Sequence, residues 1–214
     1  DIVSISSTLS GTGTTSITIT DNTVLGNAAK VKLTTTILRT SVAQKSKTVN
    51  LMKQVILSTG TTDAYGTRPT DRTISLGRAD VFNLAAVYDS EDTGTNAIAP
   101  TLTLGTFTGT FTRGEKITGS SSSAKGRIID TSSPMSYVST TPTDFTTSDT
   151  ITGVSSGATA IVSAVTEGST VITNRYLLDT GQRDNFYDIA RITRRSASSA
   201  PSGKLLVVYD YMEH

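Results

Sequence analysis

The chain has no cysteine, so neither a disulfide frame nor a thiolate metal site is open to it. This suits maturation in a reducing compartment. Its one histidine is His214, the last residue. Ser–His nucleophilic catalysis therefore lacks a base in a core position, and a His-based metal site is equally poorly provided. Charged residues are scarce, 17% of the chain, and 19 Lys and Arg nearly cancel 18 Asp and Glu to leave a net charge of +1. Such a balance draws in neither nucleic acid nor a membrane surface. No apolar run approaches the roughly 20 residues of a membrane helix. No signal peptide opens the sequence, and helical patterning is almost missing. The chain begins at Asp1 rather than Met, so it reads as a fragment, a processed product or a renumbered segment.

What it has instead is Ser and Thr, roughly a third of its 214 residues, with 17 Gly. Thr is β-branched, and Ser, Gly and Asn serve turns, so the composition suits exposed β-structure. Aliphatic residues recur at strand spacing almost throughout, which argues against disorder. "DIVSIS" and "SITIT" are short β-rich runs. "VKLTTTILR" alternates, with Val31, Leu33, Thr35 and Ile37 on one face. "KTVNLMKQVILS" places Val49, Leu51, Val55 and Leu57 on one strand face, although Val49, Met52 and Ile56 also share a helical face. "DVFNLAAVYD" and "KLLVVYDYM" are apolar on both faces and belong in the middle of a sheet or between layers. They lie far apart in sequence, so the C-terminal end returns to the first half, as in sandwiches and barrels.

Between those two strands a motif occurs twice. "FTRGEKITGSSSSAKGRII" starts at Phe111 and "FTTSDTITGVSSGATAIVS" at Phe145, with the shared pattern F-T-x-x-[DE]-x-I-T-G-x-S-S-x-A. Each copy alternates around Ile117 or Ile151, turns at Gly119 or Gly153, and returns as the second strand of a hairpin. A lone hairpin is unstable in water. Two copies, with the leading strands "TLTLGTF" and "MSYVSTT", pack as one small domain. The expected fold is mainly β. A β-sandwich-like main domain takes residues 1–100 and 170–214, and an inserted, separable hairpin-repeat domain takes 101–169.

Several stretches invite chemical readings. "GSSSSAKG" resembles a phosphate-binding loop, but Ala124 and Gly126 stand where a glycine and a hydroxyl belong, and Thr159 replaces Lys125 in the second copy. Lys125 reads as a solvated hairpin residue. "YDSED" offers Asp89, Glu91 and Asp92 to calcium, or simply forms a solvated turn. "RITRRSASSAPSGK" is a basic loop facing solvent or a partner, or touching phosphate.

"RYLLDTGQRDNFYDIARITRR" concentrates charge in a chain that has little. Asp179, Asp184 and Asp188 have the residue type for carboxylate-pair catalysis. Each also has an arginine close by (Arg175, Arg183, Arg191), which favours a structural network. The favoured reading is a polar lock of Arg183, Asp184, Tyr187 and Asp188, with Phe186 and Tyr187 pinning the connector onto the core. No cofactor or metal site is expected.

"RYLLDTGQRDNFYDIARI" followed by "APSGKLLVVYDYMEH" resembles a signature of virion structural proteins of contractile-tailed phages, especially those infecting marine cyanobacteria. "TISLGRADVFNLAAVYDSED" resembles a segment upstream of it in those proteins, and the repeat resembles a module often inserted between the two. The resemblance implies a piece of a longer tail or baseplate polypeptide. It would be non-enzymatic, held among other virion tail and baseplate proteins in a multi-subunit assembly, and put together in the host cytoplasm. Two other readings remain open. One is a fibre-like adhesin binding a host surface glycan. The other is a glycan depolymerase resting on the Asp cluster alone.

Overall fold

The computed structural model describes residues 9–10, 18–19, 46–58, 60 and 62–213. The chain is mainly β and divides into two units, Asp1–Gln44 and Lys45–His214. In the first unit, β1 (Leu9–Ser10) pairs antiparallel with β2 (Thr18–Ile19). "DIVSIS", "VKLTTTILR" with Val31, Leu33, Thr35 and Ile37, and His214 lie outside the described residues. The main-domain boundary thus falls after Gln44 rather than at the start of the chain.

The second unit opens with β3 (Thr48–Leu57), β4 (Thr73–Ala79) and β5 (Val81–Asp89). Next come β6 (Thr101–Thr108), β7 (Lys116–Gly119), β8 (Lys125–Asp130), β9 (Met135–Ser139), β10 (Thr150–Gly153) and β11 (Thr159–Thr166). It ends with β12 (Thr170–Val171), β13 (Tyr176–Asp179), β14 (Ile189–Arg194) and β15 (Leu205–Glu213). Strands β12-β5-β15-β3 form one sheet and β13-β14-β4 another.

The two doubly apolar segments explain the layering. β15 lies between β5 and β3, and its alternate residues enter two different cores. Leu205, Val207, Tyr209 and Tyr211 pack against Ile74, Leu76, Ala190 and Ile192 of the second sheet, which makes the sandwich. Leu206 and Val208 face the other way, with Met52, Ala86 and Tyr88, onto Ile129 and Val138 of β8 and β9. The inserted strands, expected as a domain of their own, thus share a core with the sandwich within one compact unit. β3 is a strand throughout, but it bulges at Met52 (φ +55°). The bulge shifts the alternation, so Met52 is fully buried while Val49 is 52% exposed.

Strands β6 to β11 close into a barrel in the order β10-β11-β6-β9-β8-β7. The repeat is larger than the hairpin: each copy contributes a leading strand as well, β6-β7-β8 and then β9-β10-β11. Equivalent residues meet at both seams. Ile117 pairs with Gly153 and Gly119 with Ile151, while Leu102 pairs with Met135 and Thr101 with Ser136. The barrel thus has an internal two-fold pattern. Three strands alone would leave two open edges, and two copies close them against each other. Phe111, Ile117, Phe145 and Ile151 lie in one barrel core with Ala124 and Ala158, in matching positions.

The acidic residue of each repeat serves the other repeat. Asp149 accepts from the amides of Ser121 and Ser122 at 2.7 and 2.9 Å and from the Ser122 hydroxyl at 2.6 Å. Glu115 accepts from the amides of Ser155 and Ser156 at 3.3 and 3.1 Å and from the Ser156 hydroxyl at 3.0 Å. Each also caps its own turn, through the amide of Thr146 or Thr112. Gly119 and Gly153 leave room for this exchange. A Cβ on Gly119 would stand 2.8 Å from the Asp149 carboxylate, and one on Gly153 would stand 2.7 Å from that of Glu115. The resemblance of "GSSSSAKG" to an anion cradle has a physical basis: its amides do hold an anion, the buried side chain of Asp149.

Burial pushes the Asp149 carboxyl up, but the Ser122 hydroxyl and the amides of Ser122, Thr146 and Ser121 outweigh it and hold the group at about 2. Glu115 is lowered in the same way, by Thr112, Ser155 and Ser156 against burial. A depressed folded-state value means the stabilisation is complete above the unfolded value of 3.8 and disappears as pH falls toward 2. Stability measured by denaturant titration should therefore fall across that window. Asp149→Asn, which sets an amide group against donor N–H groups, should cost about 2–3 kcal/mol at neutral pH and flatten the acid dependence.

Ser123 and Gly157 occupy the same position in the two tips, at φ +59° and +68°. The left-handed conformation suits glycine and strains serine. Ser123→Gly should raise stability by about 0.5–1 kcal/mol in the same titration.

Candidate assembly site

β13 and β14 form a hairpin whose connector is the charged stretch. Its backbone closes on itself: Asp188 N–H donates to Gly181 O at 2.6 Å, Arg183 N–H donates to Phe186 O at 3.0 Å, and Gln182 bridges Tyr187. Gly181 (φ +77°) is required here, because a Cβ would lie 2.2 Å from Asp188 O. The Arg183 guanidinium grips both oxygens of Asp179 at 2.9 and 2.8 Å and reaches Asp188 at 3.4 Å and Gln182 O at 3.0 Å. Arg191 closes the ring by donating to Asp188. The bond from Arg183, with help from the Gly181 amide, holds the Asp179 carboxyl below the ordinary aspartate range against modest burial.

The expected lock is thus present in part, with two changes of membership. Asp184 is exposed and makes no hydrogen bond or ion pair among the described residues; Asp179 takes its place. Nor do the aromatics pin the connector to the core. Phe186 is 63% exposed and Tyr187 47%. The backbone bond from Arg183 N–H to Phe186 O turns the chain tightly here, and both aromatic side chains are left exposed. Tyr187 contacts Lys47 instead, whose ammonium donates to the phenol oxygen at 2.8 Å and stands 4.7 Å from the ring centroid. Both Asp179 and Asp188 are held by arginine, so the arrangement fixes backbone and presents neither carboxylate free.

Sequence reasoning missed the connector's deepest anchor. Asp80, fully buried and at φ +53°, is the single residue between β4 and β5. It accepts from Lys47 Nζ at 2.6 Å and from the Gln182 amide. A lone Asp linking two apolar strands was the available signal, since Asp tolerates the left-handed conformation.

The other flagged groups are engaged locally. Asp89 accepts from the amides of Glu91, Ser202 and Gly203, so "YDSED" is tied to "APSGK". Asp92 caps Gly94 and Thr95, and among the described residues no cluster of His, Cys, Asp or Glu is placed to share a metal. In the basic loop, Arg194 and Arg195 donate to the carbonyls of Thr70 and Asn174. Lys125 is exposed on β8.

Comparison with known proteins finds no match: no family model, no curated protein and no solved structure resembles the chain closely enough to register.

The ring of arginines and carboxylates is about one-third exposed, so solvent screens it. Arg183→Ala should lower the melting temperature by no more than roughly 2–4 °C for a unit of this size. Asp184→Ala should leave the melt unchanged. Thermal melts of both variants beside the parent check this.

Proposed function

We propose that the chain is a non-enzymatic structural component of a phage virion, in the baseplate or at a tail-fibre attachment, where it holds neighbouring subunits in register. The observation that carries the reading is the connector tip. Its backbone is tied by internal bonds, by Arg183 and through Gln182 to buried Asp80, yet it displays Phe186, Tyr187 and Ile189 (51% exposed) to the outside. Aromatic side chains on a rigid frame are what a protein interface uses as anchors. Further support comes from the three segments that resemble phage tail proteins. Though scattered in sequence, they build one body: β4 pairs with β14, β5 pairs with β15, and the loop after β5 is tied to the loop before β15.

The mechanism is mechanical. Rigid β-layers carry projecting contact residues and keep their spacing as the particle is loaded. A glycan-binding role draws on a different feature, the groove described below.

The test is to locate the chain in purified particles by mass spectrometry and electron cryomicroscopy. The expected result is a tail or baseplate position with Phe186 and Tyr187 buried against a neighbouring subunit. Particles carrying Phe186→Ser should assemble poorly although the isolated chain melts normally. Absence from purified particles, or a tip facing solvent inside them, overturns the proposal.

A further inference from the structure

A groove of about 770 Å³ runs along the second unit where the barrel joins the sandwich. Its walls come from β5 and β12 on one side, and from β9, the start of the second repeat and the end of β11 on the other. The linkers entering and leaving the barrel are tied together beside it, since Ile98 and the lining residue Ser169 bond each other in both directions.

Four polar groups in this groove have no work to do inside the protein. Tyr88 and Tyr137 are each only 2% exposed, yet neither hydroxyl has a hydrogen-bond partner among the described residues. The sole described side-chain polar atom cut off from both solvent and partner is the Tyr176 hydroxyl. The Tyr88 and Tyr137 hydroxyls must therefore reach solvent, and the groove is the space both residues line. Asp144 and Glu167, exposed at the rim, likewise make no hydrogen bond or ion pair. The remaining hydroxyls are mostly spent: Ser169 and Thr173 accept from backbone amides, and Ser139 donates to Thr141 O. Burial pushes the Tyr137 phenol up to about 12, with the nearby Asp144 charge adding to the shift, so it stays a donor.

This set fixes the chemistry of an occupant. Two carboxylates accept only, so the ligand must be rich in donors, and the phenols both donate and accept. The volume lies in the range of about 300–1,000 Å³ for small-molecule sites, far more than one ammonium group fills. Pro100, Val165 and Val171 supply apolar strips between the polar points. Alternating hydroxyls and C–H faces at that scale describe a sugar chain. We propose that the groove binds a short oligosaccharide, with Asp144 and Glu167 accepting from ring hydroxyls at the rim and the Tyr88 and Tyr137 hydroxyls bonding its deeper side. No aromatic face is open for stacking, so the affinity is modest. The site does not depend on the tail assignment and is tested apart from it.

The test is saturation-transfer NMR on the full chain with neutral, N-acetylated and uronic di- to tetrasaccharides, and with spermidine and a Lys/Arg-rich peptide as rival probes. Neutral or N-acetylated sugars should bind, and uronic sugars should bind worst, because their carboxylates meet Asp144 and Glu167. Asp144→Asn, Glu167→Gln and Tyr137→Phe should each weaken binding roughly tenfold. The two rim variants should melt like the parent, which keeps the result readable if Tyr137→Phe disturbs the core. Absence of any sugar signal, or sugar binding indifferent to all three substitutions, overturns the proposal. Binding of spermidine or the peptide alone also overturns it, and makes the groove a site for cations.

Discussion

The barrel depends on a carboxylate crossing to the other repeat. Glu115 and Asp149 are buried charges in a small core, and a buried charge is tolerated only when its lone pairs are filled. Each is filled by the tip of the opposite copy and by its own turn. Neither hairpin can satisfy its acid alone, so folding of one copy requires the other. This explains the motif residue by residue. The acid needs a donor-lined tip, hence Ser-Ser; it needs space beside the strand, hence Gly; the buried Ala completes the turn behind it.

The same device recurs outside the barrel. Asp71 binds the amides of Gly66 and Arg68, Asp89 ties together two loops distant in sequence, and Asp210 takes the amide of bulged Met52. In a chain without disulfides, buried carboxylates act as the staples of its loops. Asp71 staples a local loop, whereas Asp89 to Gly203 spans 114 positions of sequence and Asp210 to Met52 spans 158. Few acids are present, and several of them are committed to backbone donors rather than to solvent.

The layering was legible in sequence because it rests on periodicity. Strands apolar on both faces had to lie between layers, and β15 does. The repeat was legible from spacing, down to the buried Phe111 and Phe145. What spacing could not reveal is which hairpin each acid serves, since a hairpin closing on itself and one closing on its twin have the same sequence. The exposure of Phe186 was hidden for a related reason. An aromatic reads as core until the backbone bonds of its turn, set by Gly181, aim it outward. The bulge at Met52 left no pattern of its own, because one extra residue merely exchanges which of two neighbouring apolar side chains faces in.

That bulge has a consequence for the whole second unit. Met52 donates its amide to Asp210 at 2.7 Å, and its carbonyl accepts from Arg113 of the barrel. Asp210 also accepts from Asn83 at 2.8 Å and from Arg127 of β8 at 2.9 Å. The left-handed residue, a carboxylate only 1% exposed and two barrel arginines form one joint between barrel and sandwich. Removing one partner from such a joint strands a buried charge, at a cost of about 3–5 kcal/mol, whereas the surface ring around Arg183 loses far less. The cost of losing an ion pair is therefore graded: it is greatest where barrel meets sheet and least in the exposed ring of Arg183, Asp179 and Asp188. That gradient follows from where the arginines find buried carboxylates and where they find exposed ones.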